Sequence, residues 1–381
     1  MRACKVQGMA ETTALSELPL AHLHAELGAK FCPFAGTRMP LHYTAGVLHE
    51  HLHTRAEAGL FDVSHMGQIT LHPHGQIEEL ALALERLIPT DLAGVPIGKQ
   101  LYSGFPTETG GLHDDLIIGR APDHFRIVVN AGGKAKGMAH LQAHLGGVAD
   151  IALLPRVLLA VQGPAAEAVI AHHIPAAVTL RFMEQAAFQT AYGDIWIARG
   201  GYTGEDGFEL SLDPAEADAF ARALLQDPRL QPAGLGARDS LRLEAGLCLY
   251  GQDLGEDIPM IAAGLGWTIP ALRRAGGARA GGFIGADVIL RDLATPPARR
   301  RMGLLPDGAA PMRAGTEVTD GTTPLGHVTS GGYSPTLGRP IAMALLDRAA
   351  QDGRPLFGIV RGKALPLSLT QLPFVPAHTK R

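Results

Sequence analysis

Three stretches of this chain bring residue types together at spacings that could do chemistry. The first is Gly201–Leu210, GYTGEDGFEL, two glycine-rich turns running into the alternating triplet Phe208-Glu209-Leu210. That alternation predicts a strand with Phe208 and Leu210 on one face and Glu209 on the other. A carboxylate facing a cleft there accepts two parallel N–H bonds, the geometry that reads a 2-amino-4-oxo heterocycle. One facing water is half of an ordinary hairpin. The second stretch is Asp114-Asp115, between Gly110-Gly111 and the apolar run Leu116-Ile117-Ile118. In a strand only one of the two aspartates can look into a cleft; in a turn, Gly-Gly followed by Asp-Asp is plain hairpin chemistry. The third is His49-Glu50-His51-Leu52-His53, which satisfies the HExxH zinc-protease pattern, with His49 and His53 on one helical face. The extended form of that motif needs Gly and His where Ala56 and Gly59 stand. The expectation is therefore a surface helix with solvated histidines, capped by Thr44 and ended by Gly59, and no metal site.

Other groups bear on binding. Tyr202 and Trp267 are the aromatics nearest these segments, and aromatic faces suit a flat ring as well as a core. Arg238 opens an expected helix, Ala237–Gly246, where an arginine either faces solvent or holds a carboxylate or carbonyl. Neither a GxGxxG dinucleotide fingerprint nor a phosphate-loop lysine motif occurs in the sequence.

The elements that must position these residues can be read in outline. Strands are predicted at His124–Asn130, Arg156–Gln162, Asp194–Arg199 and Gly207–Leu212. Asp213-Pro214 starts a helix with Asp213 as cap and Pro214 at the first helical position; Ala217, Phe220, Ala221 and Leu224 share a face, and Pro228 stops it. Composition shifts toward Arg, Ala and Gly at Arg273–Gly282 and again at Pro296–Arg301, where Arg299–Arg301 reads as a solvated linker. Beyond it come short strands, Glu317–Thr319, Leu325–Thr329 and Ile341–Leu346, with Asp320-Gly321 as a hairpin signal. The fold class expected is α+β, with a β-barrel-like domain at the end: residues 20–275 form the larger region, as two intertwined subdomains, and 298–376 the barrel.

With 381 residues, 46% of them hydrophobic and 18% charged, the chain can bury a large core. A net charge of −4 gives no polyanion footprint, so nucleic acid is not an expected partner. No run reaches the roughly 18–20 apolar residues of a membrane span. Three scattered cysteines, Cys4, Cys32 and Cys248, fit a reducing compartment better than a disulfide framework. The start, MRACKVQGMAETTALSE, lacks an apolar core and carries Glu11 and Glu17, so neither a secretory nor a transit peptide is expected; Met9 is an alternative start. The compartment expected is the cytoplasm, or the mitochondrial matrix in a eukaryote.

Together, GYTGEDGFEL and Ala233–Asp253 (AGLGARDSLRLEAGLCLYGQD) resemble the folate-binding signature of the T protein of the glycine cleavage system, the aminomethyltransferase family. FDVSHM (Phe61–Met66), LYSGF (Leu101–Phe105), GGLHDDLI (Gly110–Ile117), VVNAG (Val128–Gly132), LAVQGP (Leu159–Pro164), LGWTI (Leu265–Ile269), APMR (Ala310–Arg313) and TSGGYSPTLG (Thr329–Gly338) resemble the same family in the same order. The match runs from about Leu20 to about Pro376.

The resemblance implies transfer of an aminomethyl carbon from the lipoyl arm of a lipoylated H protein to tetrahydrofolate as co-substrate, giving 5,10-methylenetetrahydrofolate and ammonia. It places the essential carboxylate at Asp115, leaving Asp114 structural. It gives Glu209 the pterin edge, lines the pocket with Met66, Tyr102, Val128, Asn130 and Tyr202, completes the site with Arg238 and Trp267, and sets Arg313 near the mouth where the lipoyl arm enters. The protein outside the complex is expected to be a monomer. Thr37 stands where the family usually has Trp, and the tail Phe374–Arg381 lacks a tyrosine that some members carry. Two relatives of other classes share the fold. One is a folate-binding iron–sulfur-maturation protein without transferase activity, which carries Lys-Gly-Cys where Gly246-Leu247-Cys248 stands here. The other is a flavin-dependent demethylating oxidase, fused to a dinucleotide domain that this chain lacks.

Overall fold

The computed structural model describes residues 15–380. Cys4, Glu11 and the alternative start at Met9 lie outside the described residues. The chain divides into two compact units, each drawn from separate stretches of sequence. One takes the N-terminal stretch through Gln68, Leu154–Asp239 and the end from His378; the other takes Ile69–Leu153 and Ser240–Ala377.

The first unit is built on a six-stranded sheet in the order Gln185–Thr190, Gly193–Arg199, Gly207–Leu212, Val157–Gln162, Ala58–Asp62, Leu230–Pro232. Alternation decides which face is buried. Val157, Leu159 and Val161 point into one core with Ile195, Ile197, Phe208, Leu210 and Leu212. Helix Pro214–Leu224 closes that core with Ala217, Phe220, Ala221 and Leu224, and Asp213 caps it by accepting the Ala215 N–H at 2.8 Å. Each large apolar side chain buried there contributes about 1.5–3 kcal/mol.

The second unit holds a five-stranded sheet, Gln100–Pro106, Leu112–Arg120, Phe125–Val129, Gly67–Pro73 and Ala149–Leu153 in that order, and a closed six-stranded barrel running from Arg299 to Thr370. The fold is thus α+β with a β-barrel at the C-terminal end. The Asp320-Gly321 turn joins strands Glu317–Thr319 and Pro324–Ser334; Asp320 Oδ1 accepts the N–H groups of Thr322 and Thr323, and Gly321 takes φ 99°.

Several expectations are corrected. The histidine helix is Val47–Ala56; Gly46, not Thr44, precedes it, and Gly59 lies inside strand Ala58–Asp62. The apolar run around Gly59 favours the strand, because its Cα packs against Thr54 and Phe61 where a side chain has no room. Arg299–Arg301 is not a linker: it opens the barrel strand Arg299–Pro306, and Arg301 donates to the carbonyls of Ala263 and Gly246. The Arg273–Gly282 stretch is docked as well. Arg273 is buried, and it and Arg279 both bind the buried Glu85 carboxylate, whose Oε1 also accepts the N–H groups of Leu92 and Ala93. A carboxylate with that many donors holds the stretch in place.

Candidate active site

In the first unit, Glu209 sits in the middle of strand Gly207–Leu212, not at a hairpin tip. Phe208 and Leu210 are fully buried in the core, so Glu209 projects from the other face and is half-buried. Its cross-strand neighbours are Ala160 on one side and Ala198 on the other. Two methyl groups leave the space above the carboxylate unfilled by protein side chains from those positions, which suits a flat ligand. Burial raises the Glu209 pKa, and the positive charge of Arg238 opposes that shift. Arg238, near the start of helix Leu235–Glu244, holds its guanidinium 4.5 Å from the centre of the Tyr202 ring. Burial lowers its own pKa, while Tyr202 and Glu209 act the other way. Glu209, Arg238 and Tyr202 therefore form one electrostatic group. Met66 ends the turn after strand Ala58–Asp62, where its N–H donates to Val63 O at 3.0 Å.

In the second unit, Asp114 and Asp115 lie in strand Leu112–Arg120, opposite Phe105 and Gly104, and not in the turn that precedes them. Tyr102, on the neighbouring strand, donates its hydroxyl to Asp115 Oδ2 at 2.9 Å. Its ring stacks on Trp267 at 5.7 Å and 16°, and Trp267 is 66% exposed, so one indole face remains open to a ligand. Asn130 follows strand Phe125–Val129, and its Nδ2 donates to Asp115 Oδ1 and to Asp114 Oδ1, each at 2.7 Å. Both acceptors are carboxylate oxygens, so the amide nitrogen must face them. Val128 pairs with Ile117 one strand over and is half-buried. Burial raises the Asp115 pKa against the lowering effect of the Tyr102 and Asn130 bonds. The exposed Arg313 donates to the Gly331 carbonyl at 3.2 Å within the barrel region.

The sequence singled out Tyr102 and Asn130 as lining residues but not as the donors that hold Asp115. The bridging amide of Asn130 was out of its reach, because the partners lie 15 and 16 residues apart and only strand register joins them.

The HExxH segment is turned to structural use. Glu50 is buried, and its two oxygens accept the Tyr43 N–H at 2.6 Å and the Gly234 N–H at 2.9 Å. His49 contacts the Gln231 side chain and His53 the Arg229 carbonyl. His51 is fully buried, so the expectation of solvated histidines fails there. A carboxylate committed to two backbone donors is not poised as a base for metal-bound water. Protein purified with zinc present should therefore hold well under one zinc per chain at this helix, and His49→Ala should leave activity intact. Stoichiometric zinc lost together with activity in that variant would show a catalytic metal instead.

The glycine cleavage T-protein N-terminal domain matches residues 20–272, and the glycine cleavage T-protein C-terminal barrel domain matches residues 299–376. A mitochondrial aminomethyltransferase of Dictyostelium discoideum is 38% identical over 388 residues, covering 96% of this chain and 94% of that protein. The mitochondrial aminomethyltransferase of Pisum sativum is 39% identical, with 96% and 91% covered. The crystal structure of the glycine cleavage system aminomethyltransferase T of Bartonella henselae superimposes with a TM-score of 0.89 at 42% identity, covering 96% of this chain and all of that one. The chain belongs to the glycine cleavage T-protein family, and the reaction it catalyses is aminomethyl transfer.

Proposed function

We propose that the chain takes the aminomethyl group from the reduced lipoyl arm of a lipoylated H protein and passes its carbon to tetrahydrofolate. Two C–N bonds form at the folate nitrogens, while the C–N and C–S bonds of the aminomethyl group break. The two protons lost by the folate nitrogens leave with ammonia and the lipoyl thiol. The observation that carries this reading is Asp115, fixed by Tyr102 and Asn130 on a central strand and raised in basicity by burial. A carboxylate in that state orients the weakly basic arylamine nitrogen of folate, accepts its proton and faces the developing cation.

In this reading Glu209 accepts the paired N–H groups of the pterin, Arg238 balances its charge, Tyr202 and Met66 border the ring, and Trp267 offers its open face to an aromatic ring. Val128 offers an apolar side chain to the folate, and Arg313 meets the lipoyl arm. The residues contribute binding, orientation and proton transfer, and need no metal. The iron–sulfur-maturation alternative finds no support among the relatives, which are named as aminomethyltransferases. Those relatives are also named mitochondrial; for this chain we propose a reducing compartment, bacterial cytoplasm or mitochondrial matrix, in keeping with its few, scattered cysteines. We also propose a monomer outside the H-protein encounter, with neither nucleic acid nor membrane as a partner; among the described residues no helix is long and apolar enough to cross a membrane.

Calorimetry on Glu209→Gln tests the folate half of this reading. The amide supplies one acceptor and one donor where the pterin offers two donors, so binding of tetrahydrofolate should weaken by at least about 1.5 kcal/mol. An unchanged dissociation constant would return Glu209 to a structural role.

A further inference from the structure

Behind Asp114 lies a cavity of about 60 Å³ that the chemistry above does not use. Phe105, His113, Asp114, Lys136, Gly137 and His140 line it, and its volume has room for water. The basic side chains around it are already committed: Lys136 Nζ donates to the Glu256 carboxylate, and His113 Nδ1 lies 3.0 Å from the same oxygen. His140 Nε2 is buried without a partner, and burial, reinforced by His144, His113 and Lys136, pushes the His140 pKa down to about 4. His140 is thus a neutral imidazole at physiological pH. Asp114 receives two bonds from Asn130, from Nδ2 and, at 3.1 Å, from the backbone N–H, and those donors are uncharged.

We propose that Asp114 is a positioning residue for the transfer reaction: it shares the Asn130 amide with Asp115, exchanges its own proton with water in the cavity, and sets the pH at which the pair delivers a proton-accepting carboxylate. This rests on Asp115 being the acceptor. The two amide hydrogens of Asn130 go one to each carboxylate, so a change of charge on Asp114 is felt at Asp115 through that amide and through space. The groups facing Asp114 are Asp115 and His113 on its own strand, Tyr102 through Asp115, and Lys136 and His140 on helix Lys134–Leu145. Glu256 holds Lys136 and His113, and Tyr250 donates to Leu112 O nearby. Burial, aided by the Asp115 charge, raises the Asp114 pKa to about 7 against the Asn130 bonds. Its proton is bound more tightly in the folded chain than in the unfolded one. The stabilisation from that proton is full below the ordinary carboxylate range and is lost as pH rises through about 7.

The test is the pH profile of kcat/KM for tetrahydrofolate in the wild type and in Asp114→Asn. Two coupled carboxyls lose their protons in two steps that belong to the pair, and the variant removes one step. Because the Asp115 charge helps raise Asp114, Asp115 ionises first; the step near pH 7 should therefore vanish from the profile while the lower limb stays, with the plateau reduced far less than in Asp115→Asn. A profile of unchanged shape, lowered throughout with the step near pH 7 kept, would show Asp114 to be purely structural and overturn the proposal. A second measurement needs neither activity nor the first variant: infrared titration of the protonated carboxyl in wild type and in Asp115→Asn. With the neighbouring charge removed, the Asp114 proton should leave at lower pH than in the wild type; an unshifted titration would also overturn the proposal. Full activity in Asp115→Asn would sink the acceptor role of Asp115 while leaving the infrared comparison readable.

Discussion

Asp115→Asn is expected to lower turnover by about 10²-fold or more, the scale of one well-placed acid–base group, while tetrahydrofolate still binds. The geometry explains why the loss should be selective. The substituted amide keeps the volume of the carboxyl; its oxygen can still accept the Asn130 N–H while its NH2 donates to the Tyr102 hydroxyl oxygen, so the strand and the Tyr102–Trp267 stack stay in place. It cannot accept a proton or face a developing positive charge with a charge of its own. Single-turnover measurement with the loaded lipoyl carrier separates the chemical step from binding. A variant that binds folate normally and turns over at the wild-type rate would remove Asp115 from the mechanism. Asp114→Asn, by contrast, should cost far less at the plateau, because Asp114 acts on Asp115, through Asn130 and through space, and not on the reacting atoms.

What the sequence made legible followed from local rules. The triplet Phe208-Glu209-Leu210 put Glu209 on the face opposite the core because strand side chains alternate, and Asp213-Pro214 announced its helix because cap and fixed φ act over a few residues. Three of the six barrel strands were readable for the same reason: short β-rich runs separated by turn residues such as Asp320-Gly321. What stayed hidden depended on partners distant in sequence. Arg299–Arg301 looks like a solvated run until the Ala263 and Gly246 carbonyls are brought to Arg301. The composition shift at Arg273–Gly282 gives no sign of docking until Glu85 is placed between Arg273 and Arg279. Glu50 satisfies a metalloprotease pattern, and only the approach of Gly234, 184 residues away, shows that its carboxylate is occupied. The family resemblance proposed which side chains meet the substrate; it did not reveal that one amide, Asn130, ties the two aspartates together.

Arg242→Met should destabilise the protein by about 3–5 kcal/mol, the cost of leaving a buried charge without its partner. Arg242 and Asp253 are both almost wholly buried, and Arg242 Nη1 donates to Asp253 Oδ2 at 2.9 Å. The same oxygen accepts the Leu249 N–H and the Ser330 hydroxyl, and Thr329 donates to Oδ1. These neutral donors satisfy the lone pairs of Asp253 but carry no compensating charge. In the variant, Asp253 must therefore stay ionised at high cost or take up a proton. Adding Asp253→Asn to Arg242→Met should recover part of the loss, because a buried neutral amide costs less than a buried lone carboxylate. Asp253→Asn alone should destabilise, since it strands the guanidinium instead. Urea unfolding of the wild type, both single variants and the double variant gives the coupling directly. A double variant no more stable than Arg242→Met would show that the lost hydrogen bonds and packing of Arg242, and not the unpaired charge, account for the damage.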